Sequence, residues 1–78
     1  MMFIKSVEPL EDNKLLIDFT TGERKIYDIK PLYSLPIFSE LKNKSLFKSF
    51  RIGKYYIEWP NGADLTADTL FIEGKPVI

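Results

Sequence analysis

The stretch KLLIDFTTGERKIYDI, Lys14 to Ile29, decides the fold of this 78-residue chain. In its first half, Leu15, Ile17 and Phe19 occupy alternate positions, the period expected of a strand with one buried face. Gly22 then ends a two-residue link, and glycine tolerates the positive φ that a tight hairpin requires. The second half, ERKIYDI, predicts another strand, although alternation alone leaves its inner face undecided.

The flanking segments extend this hairpin on both sides. Upstream, MMFIKSVEPL predicts a strand that ends near Pro9, and EDN is typical of a turn. Downstream, PIFSELKN at residues 36–43 predicts a short helix with Ile37 and Leu41 on one face. The following SLFKSFRIGKYYIEW predicts a second hairpin around Gly53-Lys54.

The segment IEWPNGADLTADTL offers turn and cap chemistry. The PNG turn, with Gly62 suited to positive φ, ends the strand that carries Trp59. Either Asp64 or Thr66 can cap a helical turn over TADTLF, because both side chains can accept a hydrogen bond from an early backbone N–H. Asp68 falls in that first turn, where the helix dipole favours a negative charge.

Two functional alternatives for the same segment are weaker than these structural roles. Oxygen ligands for Ca²⁺ or Mg²⁺ could come from Asp64, Asp68 and Asn61. The segment does not have the order of acidic residues that is typical of a Ca²⁺-binding loop. Trp59 could be a binding hot spot, although a core or rim position with a satisfied indole N–H is more common. We therefore expect no metal and no cofactor.

Together these elements predict one α+β domain spanning residues 1–78. The expected architecture is a small antiparallel sheet of about five strands in two hairpin units. The order is β-β-β-α-β-β-short helix, with a single layer of helix packed on the sheet.

Composition narrows the function. The 78 residues contain no Cys and no His, so they exclude thiolate nucleophiles, sulfur-ligated zinc and every histidine-dependent triad. No apolar run approaches the ~20 residues of a membrane-spanning helix, and the first residues do not resemble a signal peptide. These features predict a non-enzymatic cytoplasmic protein with no membrane association.

Charge is unevenly distributed along the chain. From Leu41 to Ile57 the basic residues occur without any acid and are interleaved with aromatic rings: Lys42, Lys44, Lys48, Arg51 and Lys54. Such a segment suits either an acidic protein partner or a nucleic-acid backbone. A formal net charge of zero and an isoelectric point of about 6.2 argue against nucleic acid as the main ligand.

Five segments in order, LLIDFTTGE, IYDIKPLY, PIFSELKN, LFKSFRI and IEWPNGADLTADTLF, resemble the small bacterial domains of the domain of unknown function 2442 family. The last segment is the most specific. The resemblance implies an α+β domain with a small sheet and no catalytic residues. It also implies, for some members, a place in toxin-antitoxin-like gene pairs. Some longer relatives carry a C-terminal helix-turn-helix that these residues lack.

We therefore expect a non-enzymatic protein-binding or regulatory module, for example the antitoxin-like half of a two-protein pair, acting on a protein partner or on itself. The alternative is a nucleic-acid-binding regulator that uses the basic surface of residues 42–54. The expected contact residues are Lys48, Arg51, Lys54, Tyr56, Trp59 and Asn61. The expected turn and cap residues are Gly22, Gly62, Asp64, Thr66 and Asp68.

Overall fold

The structure, a computed structural model, describes residues 1–77. Within that range the strands are β1 (Ile4–Leu10), β2 (Lys14–Phe19), β3 (Arg24–Asp28), β4 (Arg51–Ile52), β5 (Tyr56–Glu58), β6 (Asp64–Thr66) and β7 (Lys75–Pro76). The α-helices are α1 (Pro36–Ser39), α2 (Lys44–Phe47) and α3 (Ala67–Glu73), and short 3-10 turns span Lys30–Ser34 and Glu40–Lys42.

The strands form two antiparallel sheets, of order β1-β2-β3-β7 and β4-β5-β6. The α+β class and the antiparallel pairing are confirmed, but the prediction of one sheet with about five strands is wrong. The prediction missed β6 because its three residues were assigned to the start of the last helix. It also left undecided the two-residue β7, which pairs with the free side of β3.

The first sheet follows the predicted meander, with turns that favour left-handed residues. Asp12 and Asn13 in the β1–β2 turn have φ values of 63° and 62°, a region that Asn and Asp tolerate better than most residues. In the β2–β3 turn Gly22 has φ 94°. Its N–H donates to the Phe19 carbonyl at 3.0 Å, and the Phe19 N–H donates to the Glu23 carbonyl at 2.9 Å. The loop therefore has three residues, one more than predicted.

The register of the first sheet settles the inner face of β3. Tyr27 lies directly opposite Leu15, and opposite residues of an antiparallel pair share a face. Because Leu15 is fully buried, Tyr27 and not Ile26 faces the core.

One cluster of buried side chains joins both sheets and the helices. Its largest fully buried members are Leu15, Ile17, Phe19, Ile29, Leu41, Ile57, Trp59 and Leu70. For 78 residues this core depends on aromatic rings, which remove much apolar surface from water per ordered residue.

The helical segment at residues 36–43 differs from the single helix that was predicted. It divides into α1 and a 3-10 turn, and Asn43 is extended with φ −70° and ψ 117°. The Asn43 side chain accepts the Leu46 N–H at 3.1 Å and so caps α2. Phe38 and Leu41 are buried, whereas Ile37 is exposed.

Candidate interaction surface

Trp59 belongs to the core and not to a contact surface. Its side chain is only 1% exposed, and its indole N–H donates to the Phe47 carbonyl at 2.9 Å. The rings of Phe38 and Phe50 meet it edge-to-face, with centroids 6.2 and 6.0 Å away. The expectation that Trp59 contacts a partner is therefore corrected, because every part of the indole already has an internal neighbour.

Asn61 fixes the β5–β6 turn to α1. Its Oδ1 accepts the Ala63 N–H at 3.0 Å, and its Nδ2 donates to the Ile37 carbonyl at 2.9 Å and to Glu40 Oε1 at 2.8 Å. The amide thus uses both ends in intramolecular hydrogen bonds. Asn61 therefore has a structural role, and we no longer expect it to contact a partner.

The remaining turn and cap residues have separate local roles. Gly62 has φ 93°, and Thr66 Oγ1 accepts the Thr69 N–H at 3.2 Å, so Thr66 is the N-cap of α3. Asp64 lies two residues earlier, exposed in β6, and does not cap the helix. Asp68 Oδ1 accepts the backbone N–H of Met2 at 2.7 Å.

The two aspartates of this segment therefore lie on different elements, Asp64 in β6 and Asp68 in α3. Across residues 1–77, no group of three or more acidic side chains is placed to hold a metal ion.

The β4–β5 hairpin tip is held at both sides by backbone hydrogen bonds. The Ile4 N–H donates to the Lys54 carbonyl at 2.9 Å, and the Ala67 N–H donates to the Tyr55 carbonyl at 2.8 Å. Across the hairpin, the Gly53 N–H donates to the Tyr56 carbonyl at 2.8 Å. These bonds fix the tip against β1 and α3, so its side chains project from a supported backbone.

Aromatic rings and a cation are exposed together at this tip. Tyr55 and Tyr56 are 48% and 36% exposed, and their rings meet edge-to-face with centroids 5.9 Å apart. Lys54 Nζ lies 5.2 Å from the ring centroid of Phe3, which is 36% exposed. We call Phe3, Lys54, Tyr55 and Tyr56 the hairpin surface.

Gly53 sets the position of one ring in the hairpin surface. The Tyr56 ring lies so close to the Gly53 Cα that a Cβ at this position would overlap ring carbons. The hydrogen of glycine therefore permits the ring to lie flat against the hairpin backbone.

The basic segment retains its positive charge after folding. Arg51 pairs with Glu58 at 2.9 Å, but no acid within residues 1–77 forms a salt bridge with the four lysines Lys42, Lys44, Lys48 and Lys54. Lys42 Nζ instead lies 5.6 Å from the centroid of the Tyr33 ring. The lysines thus remain available to an anionic partner.

Shifted pKa values occur among groups that hold the first sheet together. The Arg24 guanidinium, through its hydrogen bond, lowers the pKa of Asp18, and the Lys30 ammonium does the same to the pKa of Asp12. Burial, reinforced by the nearby Glu73 carboxylate, raises the pKa of Tyr27 to about 12. Each shift has a structural cause, and none identifies a catalytic acid or base.

Sequence reasoning missed two residues of the hairpin surface, Phe3 and Tyr55. In the sequence Tyr55 alternates with Ile57 and Trp59, a spacing that predicts one shared inner face for all three residues. The alternation fails there because Tyr55 belongs to the turn and not to the strand. Phe3 precedes the first strand, and only the folded structure places its ring beside Lys54.

A comparison with protein-family models gives one match, to the family described as Protein of unknown function (DUF2442), over residues 4–76. The chain belongs to the DUF2442 family. The family predicted from the five ordered segments is thus confirmed. Comparisons with curated proteins and with solved structures gave no match. In the part of the chain that the structure describes, no helix has the length and apolar character needed to cross a membrane.

Proposed function

We propose that this DUF2442 chain is a non-catalytic protein-binding or regulatory module that contacts its partner through the hairpin surface. One observation carries the proposal: two exposed tyrosine rings and a lysine project from a hairpin tip that is fixed at both sides, and the exposed ring of Phe3 lies beside them. Tyrosine and other large side chains dominate the energy of protein interfaces. A preorganised backbone also lowers the entropy that association costs.

The charge of the surface favours an acidic partner. Lys54 has no carboxylate partner within the described residues, and Arg51 nearby in β4 has only one, the exposed Glu58. Complementary charge raises the rate of encounter and excludes basic competitors. A small acidic protein acting with this chain in the cytoplasm, as in an antitoxin-like pair, fits this chemistry, and no cofactor is needed.

The test compares partner recovery by three tagged forms of the full chain expressed in the native host. The double substitution Lys54→Glu, Tyr55→Ala alters the hairpin surface, whereas the control Ile72→Ala removes an exposed apolar side chain from α3. We expect the wild type and the control to recover the same partner and the double variant to lose it. Equal recovery by all three forms would refute the proposal, and analytical ultracentrifugation would show whether the partner is a second copy.

A nucleic-acid-binding regulator is the second candidate, favoured by the four lysines that have no carboxylate partner within residues 1–77. Contacts with several phosphates would make the affinity fall steeply as salt increases, because bound counterions are released. Titration of mixed-sequence single-stranded and duplex DNA and RNA at low and moderate salt tests this alternative. If no fragment binds at low salt, it fails.

A further inference from the structure

A second surface lies apart from the hairpin surface, between the β1–β2 turn and α2. It is a groove of about 650 Å³. One wall is formed by Pro9, Leu10 and Glu11, and the other by Lys44, Phe47 and Lys48. Phe47 is buried, and Pro9 and Leu10 are half-buried, so these three side chains form an apolar floor. The rims above it are charged: Glu11 lies on the β1 rim, and Lys44 and Lys48 lie on the α2 rim.

The charges on the α2 rim are not neutralised within the described chain. Lys44 and Lys48 form no salt bridge there. The aspartate across the groove, Asp12, is already engaged by Lys14 at 3.2 Å and by Lys30 at 2.8 Å. An anion supplied from outside would therefore meet two free ammonium groups on the α2 side, while one carboxylate without a salt bridge in the described residues, Glu11, lies on the opposite wall.

The backbone of the β1 rim limits what the groove can hold. β1 is an outer strand of its sheet, and Pro9 has no N–H to donate. An added strand could not continue a regular ladder along this edge. The occupant must therefore be recognised by its side chains.

The spacing of the lysines indicates the pattern of those side chains. Lys44 and Lys48 are four residues apart across one helical turn, which places their Cβ atoms ~6 Å apart. In an extended peptide, residues two apart are separated by ~7 Å, close to the same distance. Two acidic residues two apart would match the lysines. The apolar residue between them points to the opposite side of the extended peptide, toward Pro9 and Leu10 across the groove.

We propose that this groove binds an extended acidic segment of another protein, with the pattern acid-apolar-acid. The groove shares no residue with the hairpin surface, so this inference does not depend on the function proposed above.

The experiment uses a fluorescein-labelled decapeptide with Glu-Leu-Glu at its centre and Gly and Ser around it. Fluorescence anisotropy measures its binding to the full chain at low salt. Two control peptides, with Gln-Leu-Gln or Glu-Ser-Glu at the centre, test the acids and the apolar residue separately. We expect each control peptide to bind more weakly than the first.

Protein variants locate the binding site. The charge-removing pair Lys44→Gln, Lys48→Gln should weaken binding about tenfold, because two surface ion pairs are lost together. Lys75→Glu, at an exposed cation on β7, should leave binding close to wild type. Far-UV circular dichroism verifies that the variants are folded, and the pair Lys44→Ala, Lys48→Ala gives a second measurement of the same effect.

Amide chemical shifts in the nuclear magnetic resonance spectrum decide between the two surfaces. We expect peptide-induced shifts at residues 10–13 and 44–48. Shifts confined to residues 53–56, equal binding by all variants, or no shift at millimolar peptide would each overturn the inference. Shifts confined to residues 53–56 would indicate that the peptide binds the hairpin surface instead. Equal binding by all variants, or no shift, would leave the function proposed for the hairpin surface untouched.

Discussion

Replacing Asn61 by aspartate should destabilise the protein, although the two side chains have nearly the same shape. The Nδ2 group that donates to the Ile37 carbonyl at 2.9 Å and to Glu40 Oε1 at 2.8 Å would become an oxygen. Two hydrogen bonds would then be replaced by two contacts between acceptors. The hydrogen bond that Asn61 accepts from the Ala63 N–H could persist.

The magnitude follows from these contacts. Loss of two hydrogen bonds costs ~1 kcal/mol each, and two carboxylates about 4 Å apart in water repel by ~1 kcal/mol. Rotation of the exposed Glu40 side chain relieves part of the repulsion, so we expect a loss of about 2–3 kcal/mol. A chain of this size is stable by only ~4–12 kcal/mol, so Asn61→Asp should lower the melting temperature by roughly 10–20 °C.

The pH dependence separates repulsion from simple loss of bonds. The neighbouring Glu40 carboxylate should raise the pKa of the introduced carboxyl above its unfolded value of ~4. The destabilisation should therefore be smallest below pH ~4 and should grow as the pH rises toward neutral.

The assay is urea unfolding followed by far-UV circular dichroism at several pH values. Glu40→Gln alone should be nearly neutral, and in combination with Asn61→Asp it should restore ~1 kcal/mol, because an amide can donate to the new carboxylate. A loss below ~0.5 kcal/mol at neutral pH would show that Asn61 does not fasten the turn to α1. A larger loss that is independent of pH would show that Glu40 does not repel the introduced carboxylate.

Other substitutions test the remaining contacts. Trp59→Phe should cost about 2–4 kcal/mol in urea unfolding, because it leaves a buried carbonyl unpaired and opens a cavity, and a loss below ~1 kcal/mol would contradict the burial of the indole. Thr66→Ala should cost ~1 kcal/mol as a lost N-cap, whereas the matched control Asp64→Ala should change stability by under ~0.5 kcal/mol; the reverse order would mean that the cap is misassigned. Tyr27 should be the last tyrosine to ionise in an absorbance titration, with a pKa of about 12. Because this folded pKa lies above the unfolded value of ~10, its stabilisation is complete below pH 10 and is lost as the pH rises toward 12. Tyr27→Phe should remove that loss, and an unchanged pH profile would contradict the assignment.

The first hairpin could be predicted from the sequence because its signals are local. Alternation over β2 and a glycine in the following turn were enough to predict two antiparallel strands, and both are present. The β5–β6 hairpin carries the same signal and was missed. The backbone N–H of Trp59 donates to the Ala63 carbonyl, and the backbone N–H of Gly62 donates to the Trp59 carbonyl. The β2–β3 turn between Phe19 and Glu23 has the same pair of hydrogen bonds.

The sequence did not predict β6 because this strand overlaps the start of α3. Thr66 both ends β6 and caps α3, so the three strand residues carry the composition of a helix start. Strand pairing with β5 determines the outcome, and this contact is not visible in local propensity.

The surface residues were harder to predict than the fold. Lys54 and Tyr56 were predicted as contact residues from composition, and both are exposed, while their contact with a partner stays a prediction. The buried indole N–H of Trp59 donates to a carbonyl twelve residues away, which no local pattern indicates. Likewise, the contact of Phe3 with Lys54 and the hydrogen bond between the Tyr55 carbonyl and Ala67 join distant parts of the chain.

The two backbone bonds that hold the hairpin tip have a consequence for the newly synthesised protein. They join the start of the chain, at Ile4, and its final helix, at Ala67, to the carbonyls of the tip between them. A chain still emerging from the ribosome lacks α3 and cannot complete this arrangement. The tip therefore becomes fixed at both sides only after the residues of α3 have been synthesised.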